Sequence, residues 1–353
     1  MPESGVKRLR RLTALFRVEP GAVVTLPKDF DPGFSADFGK EDGDKAQDLL
    51  QQGIVLLTEY QDRLAAQDTH AVLVVLQGLD AAGKDSTIKH VMSGVNPQWV
   101  DVHPFKVPSA EELNHDYLWR YEQKLPRRGM IGIFNRSHYE EVLVVRVHPE
   151  LLEAQHLPPE DRKPGIWKER FKAINAWERY LVENGIEVVK LFLNLSRDEQ
   201  RRRFLARIDK PDKNWKFTAA DVRERAHWDE YQKAYAEVLS NTSTEWAPWY
   251  VIPADHKWFE RIAAAAVIVD ALVTIDPQYP TATPQQRREL ELARRELLAE
   301  AQTPKPRKPR PELLSRDPSF AQRPLAFAMR KVRAIADPLR RNDRQNARKL
   351  VQG

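Results

Sequence analysis

Residues 71–90 read AVLVVLQ-GLDAAGKDST-IKH: an apolar run, a loop that fits G-x-x-x-x-G-K, and a helix-compatible continuation. A phosphate loop works only where a buried strand feeds it and a helix N-terminus closes it, so that backbone N–H groups and the helix dipole converge on phosphate oxygens. This stretch has that order. Gly78 and Gly83 permit the tight backbone path, Lys84 brings a cation to bound phosphates, and Ala82, Asp85 and Ser86 complete the candidate phosphate-binding loop. The position after the lysine, usually a Ser or Thr that ligates magnesium, is Asp85, so a rearranged metal coordination is expected.

Working outward, apolar strand-like runs alternate with amphipathic stretches: AVLVVLQ, WVDVHPF, GMIGIF, IEVVKLFLNL and WYVIPA. Such alternation predicts an α/β fold of three layers, a parallel sheet of about five strands between helices, with ligands at the carboxyl ends of the strands. Residues 41–66 carry Leu49, Leu50, Ile54, Leu57 and Leu64 at helical spacing and are read as an amphipathic helix. Residues 1–40, punctuated by Pro and Gly, are read as an extended arm, and LLEAQHLPPEDRKPG (151–165) as a surface excursion. The domain is placed at 41–276 with a helical lid at about 196–245. A charged helix (285–301) and a basic, Pro-broken tail follow, with a short helix expected around AFAMRKVRAIA.

The 353 residues, 42% of them hydrophobic, suffice for one large domain with appendages. With no cysteine, disulfides and thiolate chemistry are excluded, and no apolar run reaches transmembrane length, so a cytoplasmic protein without a membrane partner is expected. The net charge of +5 conceals an asymmetry. From Thr303 onward 14 Lys and Arg face 4 Asp and Glu, so the basic character belongs to the tail, and nucleic-acid binding by the core is not expected.

The second informative stretch is GMIGIFNRSHYEEVLVVRVHPE (129–150). Where phosphate-loop enzymes carry a magnesium-organising Asp at the end of a strand, this chain has Asn135 followed by Arg136. Asn brings no charge to a metal, so Asp80 is the first candidate ligand, with Glu140 next and Asp85 and Glu141 behind. Arg136, directly after a buried strand, is read either as a bidentate phosphate clamp or as one half of a salt bridge. Arg146 and His148 are weaker candidates. A third stretch, NLSRDEQRRRFLARIDKPDKNWKF (194–217), stands where nucleotide kinases carry a mobile lid. Its Arg203 and Arg207 share a helix face and are read as catalytic lid cations, with Lys210, Lys213 and Lys216 beside Trp215. No H-E-x-x-H, G-x-S-x-G or G-x-G-x-x-G occurs.

Taken together, GLDAAGKD, FNRSHYEEVLVVRVHPE and the stretch from RRRFLARIDKPDKNWKF to WYVIPADHKWFERI resemble the polyphosphate kinase 2 family over about residues 25 to 275. The family's fold is akin to that of thymidylate kinase. The resemblance implies phosphate transfer between inorganic polyphosphate and nucleotides with Mg2+, for which Mn2+ can substitute. It places Asp80, Lys84, Asn135 and Arg136 in the family's two Walker-type motifs and Arg203 or Arg207 in the lid. Asn135, His138, Glu140 and Lys216 are the candidate nucleotide contacts. Asn135-Arg136-Ser137-His138-Tyr139-Glu140-Glu141 resembles the family's third class, which accepts nucleoside monophosphates and diphosphates. AMP, ADP, ATP and guanosine nucleotides are the implied partners, in a homo-oligomer, dimer or tetramer. An ATP-dependent monophosphate kinase and a nucleic-acid-binding regulator with a phosphate-loop switch are the alternatives.

Overall fold

In the computed structural model, which describes residues 3–36, 43–163, 165–212, 214 and 217–302, the run at 71 becomes β1 (Ala71–Gly78), buried along its whole length. A strand covered on both faces reads as continuous apolar sequence, which is what Val72 to Leu76 supply. Around it lie β2 (Val100–Pro104), β3 (Ile131–Asn135), β4 (Ile186–Asn194) and β5 (Trp249–Pro253). All pairings are parallel, in the order β2-β3-β1-β4-β5.

The longer helices are α1 (Glu3–Ala14), α2 (Gly43–Gln67), α3 (Lys84–Val91), α4 (Ile166–Glu183), α5 (Arg197–Ile208), α6 (Ala219–Glu224), α7 (Trp228–Thr242), α8 (Lys257–Ile275) and α9 (Pro284–Gln302). Alternate side chains of each strand point to opposite faces. Val72, Val74 and Leu76 of β1 join Leu57 and Leu64 of α2 and Val267 of α8 in one core. Leu73 and Val75 join Phe171 and Trp177 of α4 and Val238 and Leu239 of α7 in the other. Each fully buried Leu contributes roughly 1.5–3 kcal/mol of apolar burial. Of the α2 residues read as one face, Leu50, Ile54, Leu57 and Leu64 are buried, whereas Leu49 faces outward.

The N-terminal region departs from the sequence reading. Residues 3–14 form a helix, not an extended arm, and Leu9 and Leu12 pack on the α8 side of the core. Phe16 and Val18 then run along β5: Val18 N–H donates to the Trp249 carbonyl (2.8 Å), and Val251 N–H to the Phe16 carbonyl (2.7 Å). This covers an edge that would otherwise offer unpaired N–H and C=O groups. The excursion at 151–165 begins within a short helix at Glu150–Glu153. It also sends Gln155 inward to Glu141 and Arg170.

Residues 1–281 cluster as one compact unit. The second unit is represented among the described residues by α9, whose Leu290 and Leu297 are exposed. The helix expected near AFAMRKVRAIA, and Lys213, Trp215 and Lys216, lie outside the described residues. No described helix is long and apolar enough to cross a membrane.

Candidate active site

At the carboxyl end of β1 the chain turns through Leu79–Gly83 into α3, whose first residue is Lys84. Gly83 has φ +121°, a conformation that side-chain-bearing residues rarely adopt, and Ala81 is held at +65°. Lys84 Nζ curls back to donate to the Gly78 carbonyl (2.5 Å) and the Leu79 carbonyl (3.3 Å). Burial, then the nearby Arg136 guanidinium, pulls its ammonium down to about 8, against the opposite pull of Asp80, Glu140 and Asp85.

Arg136 follows β3 with a backbone φ of +66°, strain that a bulky residue tolerates only where its surroundings fix it. Its N–H donates to the Leu76 carbonyl, and its guanidinium spans two carboxylates, Asp80 at 2.9 Å and Glu140 at 3.2 Å. Both sequence readings of this residue meet here: it is salt-bridged and it still faces the cleft, 39% exposed. Glu140, above all, raises its already high pKa. Asn135 Nδ2 donates to Asp85 Oδ1 (2.9 Å), joining the end of β3 to the start of α3. Asp80, Lys84, Asn135, Arg136 and Glu140 therefore lie together at the carboxyl ends of β1 and β3. Among the described residues no three His, Asp or Glu side chains sit at metal-ligand spacing.

In front lies a cleft of about 380 Å3. Leu79, Asp80, Arg136 and Glu140 form one wall, and Glu224, Arg225, Trp228 and Tyr231 the other. The walls are tied together: His148 Nε2 lies 2.9 Å from Glu224, Tyr231 hydroxyl donates to the same carboxylate, and Arg225 donates to Gln200 Oε1 (2.8 Å). Gln200 in turn donates to the Asp80 carbonyl (3.0 Å). Arg146 pairs with Glu237 at 2.6 Å.

Three candidates sit elsewhere than expected. Arg203 is 7% exposed and does not reach over the cleft: it donates to the Ala81 (2.9 Å) and Ala82 (2.7 Å) carbonyls, the Ala254 carbonyl and Glu199, gripping the loop from behind. His138, read as a nucleotide contact, is fully buried against Glu178 (3.3 Å), and burial lowers its pKa. Glu141 also turns inward, paired with Arg170 at 3.0 Å. Arg207 is half-buried beside the Phe204 ring. Ser86 accepts from Arg261 (3.1 Å).

His138 belongs to a network that the sequence did not reveal. Lys190 on β4, fully buried, donates to Glu178 (2.6 Å), the Tyr139 hydroxyl (3.0 Å) and the Thr242 carbonyl (2.6 Å), while Tyr139 donates to Glu178 (2.7 Å). It anchors the turn at His138–Val142 from below and so fixes Glu140. The other missed residues are Gln200, Arg225, Glu224 and Glu260. They stand far from the loop in sequence, in runs whose charge reads equally well as a solvated face.

A parallel sheet, a glycine-bounded loop closed by a helix, and a lysine and an arginine beside carboxylates define a phosphate-loop phosphotransferase. The model of the polyphosphate kinase 2 family matches residues 39–280, and the chain belongs to that family. It is 47% identical over 290 residues to an ADP-polyphosphate phosphotransferase of Rhodopseudomonas palustris, covering 81% of this chain and 98% of the relative. It is 44% identical over 267 residues to an AMP/ADP-polyphosphate phosphotransferase of Meiothermus ruber, covering 75% and 94%. The crystal structure of a polyphosphate kinase 2 from Arthrobacter aurescens superposes with a TM-score of 0.73 at 36% identity, covering 82% of this chain and 96% of that one. The protein is thus a polyphosphate-dependent nucleotide kinase, and phosphotransferases of this family generally need a divalent metal.

Proposed function

We propose that the protein moves the terminal phosphoryl group of inorganic polyphosphate reversibly onto both AMP and ADP, with Mg2+ as the metal. The observation that carries this reading is the convergence of Lys84, Arg136, Asp80 and Glu140 at the mouth of the loop. The second motif, Asn135 to Glu141, and the Meiothermus ruber relative, whose name includes both acceptors, support monophosphate as well as diphosphate use.

An acceptor phosphate oxygen attacks the terminal phosphorus of the chain, and the P–O bond to the next phosphate breaks. The nucleotide gains one phosphate and the polymer loses one. The attacking oxygen is already anionic at neutral pH, so positioning and charge neutralisation do the work without a strong general base. The loop N–H groups and Lys84 hold the phosphates, and Arg136 neutralises charge on the group in flight. Arg225, whose guanidinium donates to the neutral Arg197 carbonyl (2.7 Å) and Gln200, supplies the cation on the facing wall. Mg2+ binds through one or two carboxylates plus phosphate oxygens and water, which suits Asp80, 35% exposed at the loop, with Glu140 behind it. Bound there, it would neutralise phosphate charge.

The test offers purified protein AMP or ADP with magnesium and either polyphosphate or GTP as donor. Polyphosphate should convert AMP to ADP and ADP to ATP. Efficient use of GTP on AMP with polyphosphate inert would replace this reading with an ordinary monophosphate kinase.

A further inference from the structure

Glu260 on α8 lies directly behind the phosphate loop, 1% exposed. A Cβ on Gly83 would fall 2.5 Å from its Oε1, so the glycine leaves the space this carboxyl occupies. Thr87 Oγ1 lies 2.5 Å from Oε1 and 3.2 Å from the Gly83 carbonyl. A hydroxyl has one hydrogen and cannot serve both acceptors at once. The Gly83 carbonyl already accepts the Thr87 N–H (2.9 Å), so the hydroxyl can donate to an ionised Glu260; when Glu260 is protonated the direction reverses, its O–H donating to Thr87 Oγ1 and Thr87 Oγ1 to the Gly83 carbonyl. Among the described residues Oε2 has no hydrogen-bond partner, a costly state for a buried carboxylate and a milder one for the neutral acid.

The geometry points to Glu260 as a buried carboxyl at the back of the phosphate loop that takes up a proton when a phosphate chain binds in front, its neutral form closing a hydrogen-bonded relay through Thr87. The inference rests on the loop being the polyphosphate site proposed above. The charged groups acting on Glu260 are Arg203 from α5 and Lys257 and Arg261 on its own helix. The donors of Arg203 are spent on Glu199 and backbone carbonyls, and Arg261 donates to Ser86. Burial pushes the carboxyl up to about 7 against these cations. Without ligand both forms are therefore populated near pH 7, and a polyanion across the loop repels the ionised form. Proton uptake follows by linkage. Lys84, at about 8, is mostly charged at pH 7 and adds only about 0.1 proton.

The experiment is calorimetric titration of the full chain with polyphosphate at pH 7, without nucleotide, in two buffers of different ionisation enthalpy. The wild type should take up more protons than Glu260→Gln, which keeps a donor for Thr87, by as much as about 0.5 per site. Equal uptake in the two proteins overturns the inference. Infrared difference spectra of the wild type keep the test independent of the variant's folding: polyphosphate should increase the protonated-carboxyl band at pH 7, and an unchanged band also overturns it. Absence of any saturable binding heat in the wild type is a distinct result that removes the polyphosphate reading itself.

Discussion

Replacing Arg203 by Met separates two roles that the sequence alone merges. A lid cation that meets phosphate only on closure adds little to the stability of the free protein, whereas a buried guanidinium gripping the loop adds a great deal. Arg203→Met keeps most of the apolar stem but strips donors from the Ala81, Ala82 and Ala254 carbonyls and leaves the Glu199 carboxylate with the exposed Arg202 (2.9 Å) as its remaining ion-pair partner. Each buried acceptor left without its donor costs about 1–3 kcal/mol, so the three carbonyls together set a loss of about 3–5 kcal/mol. Urea unfolding followed by tryptophan fluorescence should show a loss of that size. Saturation kinetics should show kcat/KM for polyphosphate down by about 100-fold, the expected consequence of a loop displaced by about 1 Å. Arg203→Lys, which restores charge but not the planar fork, should fall between. Collapse of turnover with stability changed by less than about 1 kcal/mol would refute the loop-gripping role and return Arg203 to the lid.

Arg225→Ala, which removes the cation on the facing wall, should shift stability by no more than about 1 kcal/mol while raising the KM for substrate at low salt. Lys84→Ala should lower turnover by orders of magnitude while the fold survives; in the wild type, because the charged lysine is the working form, kcat/KM for polyphosphate should fall as pH rises through about 8. Lys190→Met should cost about 3–5 kcal/mol by stranding Glu178, and adding Glu178→Leu should recover much of it, measured by a double-mutant cycle in urea. Truncation after Gln302 removes a segment of net charge +10 and should leave saturated turnover unchanged, at most raising the apparent KM for long polyphosphate at low ionic strength.

Strands β1, β3, β4 and β5 were legible because each is a largely apolar run, β2 (Val100–Pro104) because its valines alternate with polar residues, and the loop because its glycines and lysine must stand at fixed spacing. Lys84 followed from its place in the glycine-bounded loop, and Arg136 from its place directly after a strand. Arg203 and His138 misled for one reason: a charged or polar residue inside a motif reads as a ligand contact, and only three-dimensional packing tells whether it faces the cleft or the backbone behind it. Helix α1 was obscured by Lys7, Arg8, Arg10 and Arg11 interleaved with its apolar positions. Glu260 gave no signal at all, because its importance lies in touching Gly83, 177 positions away.

The segment that covers β5 has a consequence for the order of assembly during synthesis. Phe16 and Val18 leave the ribosome early, yet Val18 accepts the Ser243 hydroxyl from 225 residues farther on. At 5–20 residues per second, that partner follows roughly 10–45 s later. Through that interval the strip has no edge to pair with, and the sheet cannot be sealed until nearly the whole unit has emerged. An N-terminal fusion that holds Phe16 and Val18 away from β5 would leave the nascent sheet open at its most association-prone border.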